Sequence, residues 1–166
     1  PDAIKTSNDI RAILERNYSD EPRISEFRIT WLINEAMLNF QLGNYDKAEE
    51  LNEAAIRENL KLGDDGVYTN IIYNNLAVLY SSQGRNFEAE RFVEQSLLFS
   101  EKVYGKDRPS SINGLLTLTS LKIEQGAFQE AIQPAIKALD IAENFFGPGH
   151  PYVATAINNL AYINSS

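Results

Sequence analysis

The stretch YNNLAVLYSSQGRNFEAERFVEQSLLFSEKVYGKDRP, Tyr73–Pro109, decides how this chain folds. Its first part sets Leu76, Ala77, Leu79 and Tyr80 at helical spacing and stops at Gly84, where a glycine can take the left-handed conformation that closes a helix. A second helical pattern begins near Phe87, runs through Ala89, Val93, Ser96 and Leu97, and stops at Tyr104-Gly105. Pro109 then sits near the first turn of the next element, where a missing N–H costs nothing.

The same pattern recurs along the chain. Tyr73, Leu115 and Ile157 are 42 residues apart, and so are Gly84 and Gly126, Ala89 and Ala131, Gly105 and Gly147, and Pro109 and Pro151. Toward the start, Gly63 precedes Gly105 by 42 residues, whereas Gly43 precedes Gly84 by 41 and Ala48 precedes Ala89 by 41, so one residue is missing between Ala48 and Gly63. Helices are predicted near 5–18, 24–42, 45–62, 68–83, 86–104, 109–125, 128–145 and 151–164. Ala48, Ala89 and Ala131 let paired helices approach closely. Trp31, 42 residues before Tyr73, reads as a packing residue at the start of its helix, and Tyr104 and Phe146 read as staples between successive units. A helix pair of this length cannot bury its apolar face alone, so stacked pairs must supply the core.

The frame NNLAxLYxxQGxxxEAExxxxxSLxxxEKVYGKDRP resembles the tetratricopeptide repeat, and its 42-residue length with a Gly-x-x-His-Pro style linker is similar to the kinesin light chain variety. The resemblance implies an all-α fold, a right-handed α-solenoid of antiparallel helix pairs. It reads residues 1–166 as a single solenoid fragment: a partial repeat at 5–30, complete repeats at 31–72, 73–114 and 115–156, and the start of another at 157–166. Two positions depart from the pattern. Glu35 stands where Leu76 and Leu118 predict an apolar residue, and Asn86 stands where Tyr45 and Phe128 predict an aromatic, with Phe87 the candidate substitute one residue later. Pro1 in place of an initiator Met points to an excised or processed fragment, and its exposed apolar ends predict end-to-end self-association.

The chain has 166 residues, 43% of them hydrophobic, and a formal net charge of -8. That balance argues against nucleic acid and anionic membranes as partners, since both need clustered Lys and Arg. No apolar run approaches the roughly 20 residues of a membrane span, and the cytoplasm is the default compartment. The absence of cysteine excludes thiolate metal sites and cysteine nucleophiles. His150, the single histidine, lies in GPGHPY between repeats and reads as a linker residue. No nucleophile elbow or phosphate loop is present. The acidic pairs Glu49-Glu50 and Asp64-Asp65 read as solvated surface, and the Asp64–Gly66 turn lacks the other ligands of a calcium loop. No enzyme activity, cofactor or metal is expected.

The paired asparagines at 74–75 and 158–159 sit inside helices despite a weak helix propensity that costs each pair roughly 1 kcal/mol against alanine. Spacings of three and four put Asn74, Val78 and Ser81, with Ser82 beside them, on one stripe. The corresponding stripes are Leu116, Ser120 and Ile123, then Ile33, Met37 and Phe40, then Asn158 and Tyr162. The resemblance implies that this stripe faces a concave peptide groove. An amide offers both donors and acceptors to an extended peptide, so Asn74 and Asn158 are candidate peptide contacts. Asn34 is a further candidate groove contact, and for Asn75 and Asn159 the stronger expectation is a bond across to an adjacent helix. No Lys or Arg falls on the stripe, so the expected partner is a protein segment that is neutral to basic and partly apolar, bound at about micromolar strength. The function this predicts is a non-catalytic scaffold or adaptor. The alternative is a regulatory module that controls a fused protease, kinase or transcription factor.

Overall fold

The computed structural model describes residues 9, 12–13, 22–63 and 67–165. The described residues hold seven α-helices: α1 (Pro22–Gln41), α2 (Tyr45–Lys61), α3 (Val67–Ser82), α4 (Asn86–Tyr104), α5 (Ile112–Glu124), α6 (Phe128–Phe146) and α7 (Pro151–Ser165). A 3-10 turn, Pro109–Ser111, leads into α5. Of the predicted helix near 5–18 only Asp9, Ala12 and Ile13 are described, each of them helical, and the Asp64–Gly66 turn lies outside the described residues. The described elements are all helical, and none is long and apolar enough to cross a membrane.

The turns between paired helices repeat one hydrogen-bond pattern. Gly84 N–H donates to Ser81 O at 2.8 Å and Arg85 N–H to Tyr80 O at 2.8 Å; Gly126 and Ala127 do the same to Ile123 and Lys122, and Gly43 and Asn44 to Phe40 and Asn39. This is the Schellman closure, and the φ of 72° at both Gly84 and Gly126 is the backbone state that requires glycine there.

Two compact units divide the chain, residues 1–68 and 69–166. In the first, α1 packs on α2, burying Ile29, Trp31, Leu32, Ile33 and Ala36 along α1 and Ala48, Leu51 and Ala55 along α2. Arg28 Nη1 meets Glu58 Oε2 at 3.1 Å, and Lys61 Nζ meets Glu58 Oε1 at 2.7 Å. The Lys61 hydrogen bond, with Arg28 behind it, holds the Glu58 carboxyl below the usual carboxylate value.

Burial corrects the register of this unit. The 41-residue step that links Gly43 to Gly84 holds along α1 as well, so Trp31, buried as a packing residue should be, matches Ile72 instead of Tyr73. By the same step Glu35 and Ala36 match Leu76 and Ala77, and all four are buried. Glu35 therefore places a carboxylate-bearing side chain, 7% exposed, where the repeat has a leucine.

In the second unit Tyr73 packs its ring 5.5 Å from Phe92 and 5.7 Å from Phe99, and Tyr80 stacks on Phe92 at 5.4 Å, joining α3 to α4. Ile112, Leu115, Ala138, Ile141, Ala142, Val153 and Ala156 form the core where α5, α6 and α7 meet. Ala131 and Ala135 pack with Ile163 farther along α6. The alanines at 48, 89 and 131 are fully buried, the close-approach role their size implies. Gly114 takes this logic further: a Cβ there would lie 2.9 Å from Leu97 Cδ2.

The second unit also has a polar interior. Ser96 Oγ donates to Asn70, Asn70 Nδ2 donates to Ser110 O at 3.4 Å, and the Ser100 and Ser110 hydroxyls share a 2.6 Å bond. Lys122 of α5 clasps Glu90 of α4 and Glu130 of α6. Phe146 stacks on His150 with ring centroids 4.4 Å apart, and His150 Nδ1 accepts the Tyr152 N–H at 3.3 Å, so the linker histidine caps α7. Phe87 does not fill the missing aromatic position, because it is 80% exposed. Arg85 lies over the Tyr80 ring at 4.1 Å in the same turn.

Candidate functional site

Helices α3, α5 and α7 carry almost no charge: α3 and α7 have no Asp, Glu, Lys or Arg, and α5 has only Lys122 and Glu124. Between α3 and α5 lies a cavity of about 320 Å³ lined by Val78, Ser81, Ser82, Leu116, Thr117, Ser120, Leu121 and Glu124. Five of the residues expected on the groove stripe, Val78, Ser81, Ser82, Leu116 and Ser120, therefore line one cradle. Val78 and Leu116 give it apolar walls, and Leu121, buried, closes its base.

Ser81, Ser82, Thr117 and Glu124 are held in place by hydrogen bonds. Ser81 Oγ donates to Glu124 Oε2 at 2.6 Å, and Ser82 Oγ donates to Leu79 O at 2.7 Å. Thr117 Oγ1 donates to Asn74 Oδ1 at 2.9 Å, linking α5 to α3 beside the cradle. This bond uses the carbonyl end of the Asn74 amide and leaves its amide nitrogen for other partners.

The bond between helices thus runs through Asn74, against the expectation that the second asparagine of each pair makes it. The Nδ2 atoms of Asn75 and Asn159 are buried without a hydrogen-bond partner. Repeat register explains the second case. Asn159 takes the place of Thr117 and Leu116 takes the place of Asn74, and a leucine has no acceptor to offer.

The remaining expected residues do not line this cradle. Asn158 is exposed on α7. Asn34, Met37 and Phe40 belong to α1 of the first unit, where Asn34 and Met37 are exposed and Phe40 packs on Tyr45 at 5.8 Å. Thr117, Leu121 and Glu124 line the cradle without having been anticipated. For Glu124 the signal was present, since it follows Ser82 by 42 residues and so continues the same stripe. Among the described residues, no cluster of His, Asp and Glu is arranged to hold a metal ion.

A family model for the tetratricopeptide repeat matches residues 68–144. The chain is 24% identical to the Clustered mitochondria protein homolog of Aspergillus oryzae over 136 residues, which cover 78% of this chain and 11% of that protein. The homolog from Emericella nidulans is 24% identical over 162 residues, 94% of this chain and 13% of that one. The chain thus spans only a small part of the curated relatives it matches. Among solved structures, BtubC (BKLC) from P. vanneervenii superposes with a TM-score of 0.85 at 23% identity, over 98% of this chain and 64% of that one. The nearly identical TPR-like repeats of a Podosopora anserina kinesin light chain superpose with a TM-score of 0.72 at 20% identity, over 99% and 76%. Helix pairs, Schellman turns, the 42-residue step and these matches agree: residues 68–144 carry tetratricopeptide repeats, and the fold is the one that the kinesin light chain-like repeat structures share.

Proposed function

We propose that the chain is a non-catalytic protein-interaction module that holds an extended segment of a partner protein in the cradle between α3 and α5. The observation that carries this reading is the gathering of Val78, Ser81, Ser82, Leu116 and Ser120 around one cavity. Apolar walls beside fixed hydroxyls suit a peptide that is partly apolar and offers backbone N–H groups. Asn74 at the edge and Asn158 on α7 extend the same donor and acceptor chemistry. The tetratricopeptide fold supports a protein-binding scaffold in general, and the cytoplasm is the proposed setting. A second reading draws on the greater length of the relatives: the repeats regulate an effector carried elsewhere in a longer protein, with the same cradle holding an internal segment.

The test is to pan a random peptide library displayed on phage against the chain, its Val78→Asp/Leu116→Asp variant and its Ile136→Asp variant, after circular dichroism shows equal helicity. The expected result is a related set of peptides retained by the wild type and by Ile136→Asp and lost by the cradle variant. No enrichment, or equal retention by the cradle variant, contradicts the reading.

A further inference from the structure

The cradle contains one charged side chain, and its surroundings leave that charge without a cation. Glu124 is exposed, and its carboxylate accepts the Ser81 hydroxyl at 2.6 Å, which fixes it at the cavity. No Lys or Arg among the described residues forms an ion pair with it. Lys122, two residues earlier on α5, is held by Glu90 and Glu130 and has only 13% of its side chain exposed. Two residues is a rotation of roughly 200° around a helix, so the pair points to opposite sides. Helices α3 and α7 contribute no charge of either sign. Glu124 is therefore the sole formal charge that α3, α5 and α7 leave unpaired among their described residues.

We propose that this cradle selects a partner segment by one basic side chain, lysine or arginine, whose charged head meets Glu124 and whose aliphatic stem lies against Val78 and Leu116. The inference rests on the peptide-binding reading above. A lysine or arginine has the shape this lining asks for: an apolar stem for the two walls and several N–H donors at its tip. Acceptors for that tip are present on the lining: the Glu124 carboxylate and the hydroxyl oxygens of Ser120 and Thr117. A cavity of about 320 Å³ receives a single long side chain, not a folded domain. An acidic segment is disfavoured twice, by Glu124 and by a chain of net charge -8.

The probe is a synthetic peptide carrying the consensus enriched by wild-type panning, and its affinity is measured by isothermal titration calorimetry. A lysine or arginine at a fixed consensus position is expected. Replacing it with norleucine should weaken binding to the wild type about tenfold, the range of a hydrogen bond to a charged group. Glu124→Gln should weaken the basic peptide to a similar degree and remove most of the difference between the basic and norleucine peptides. Glu124→Lys should prefer a glutamate at that position. A consensus without a basic residue, or a basic peptide bound equally by Glu124→Gln while Val78→Asp/Leu116→Asp abolishes binding, overturns the inference and leaves the groove reading standing. If panning enriches no peptide, both fall.

Discussion

Thr117 Oγ1 donates a hydrogen bond to Asn74 Oδ1 at 2.9 Å, so the first asparagine of the 74–75 pair ties its helix to the next repeat. Removing either end should cost about 1 kcal/mol in urea unfolding of the second unit. Thr117→Val and Asn74→Ala together should cost less than the sum of the single changes, because the second deletion finds the bond already gone. Strict additivity would mean that the bond contributes nothing and that each residue acts alone.

Gly114 sits one repeat after Ile72 and one before Ala156, both fully buried. An isoleucine is therefore tolerated at this repeat position, but at Gly114 even a Cβ would meet Leu97 Cδ2 at 2.9 Å and Cγ at 3.1 Å. Gly114→Ile should destabilise the second unit by about 2 kcal/mol despite the better helix propensity of the new residue. The companion change Leu97→Ala should recover part of that loss, and an unchanged midpoint for Gly114→Ile alone would refute the packing account.

Lys122 draws α4, α5 and α6 together through Glu90 and Glu130. The hydrogen bond to Glu90 is the main cause that holds the ammonium above the ordinary lysine value; burial works against it and the Glu130 bond adds to it. A group raised in the folded state stabilises fully below its unfolded value and loses that contribution as pH rises through the folded one. Stability should therefore fall at strongly alkaline pH. Lys122→Met should flatten that fall while costing about 1–2 kcal/mol at neutral pH. An alkaline profile identical in wild type and variant would show that the clasp carries no linkage.

Much of this architecture was legible because a repeat states its rules several times over. Gly84 and Gly126 mark the same turn, and the structure gives both the same φ and the same pair of hydrogen bonds. The spacing also placed Val78, Ser81, Leu116 and Ser120 on corresponding stripes, and these now line one cavity. What remained hidden depended on the partner across a helix interface. Which asparagine bonds across is decided by whether the facing position offers an acceptor, as Asn74 does for Thr117 and Leu116 cannot for Asn159. Trp31 was set one position out because the missing residue shifts every alignment before Ala48, a shift that burial exposes and a single tryptophan does not. Phe87 was misread for another reason: an aromatic near a helix start need not turn inward, and Arg85 on Tyr80 already covers that turn.

Amide chemical shifts of the isotope-labelled chain, titrated with the consensus peptide, report whether a partner segment binds in the α3–α5 cradle. Perturbations are expected at Val78, Ser81, Thr117, Ser120 and Glu124, with Asn74 at their edge. A separate cavity of about 410 Å³ lined by Asp107, Ile136, Lys137, Asp140 and Phe145 serves as the internal control. Perturbations gathered there, with the cradle amides unmoved, would place binding outside the cradle.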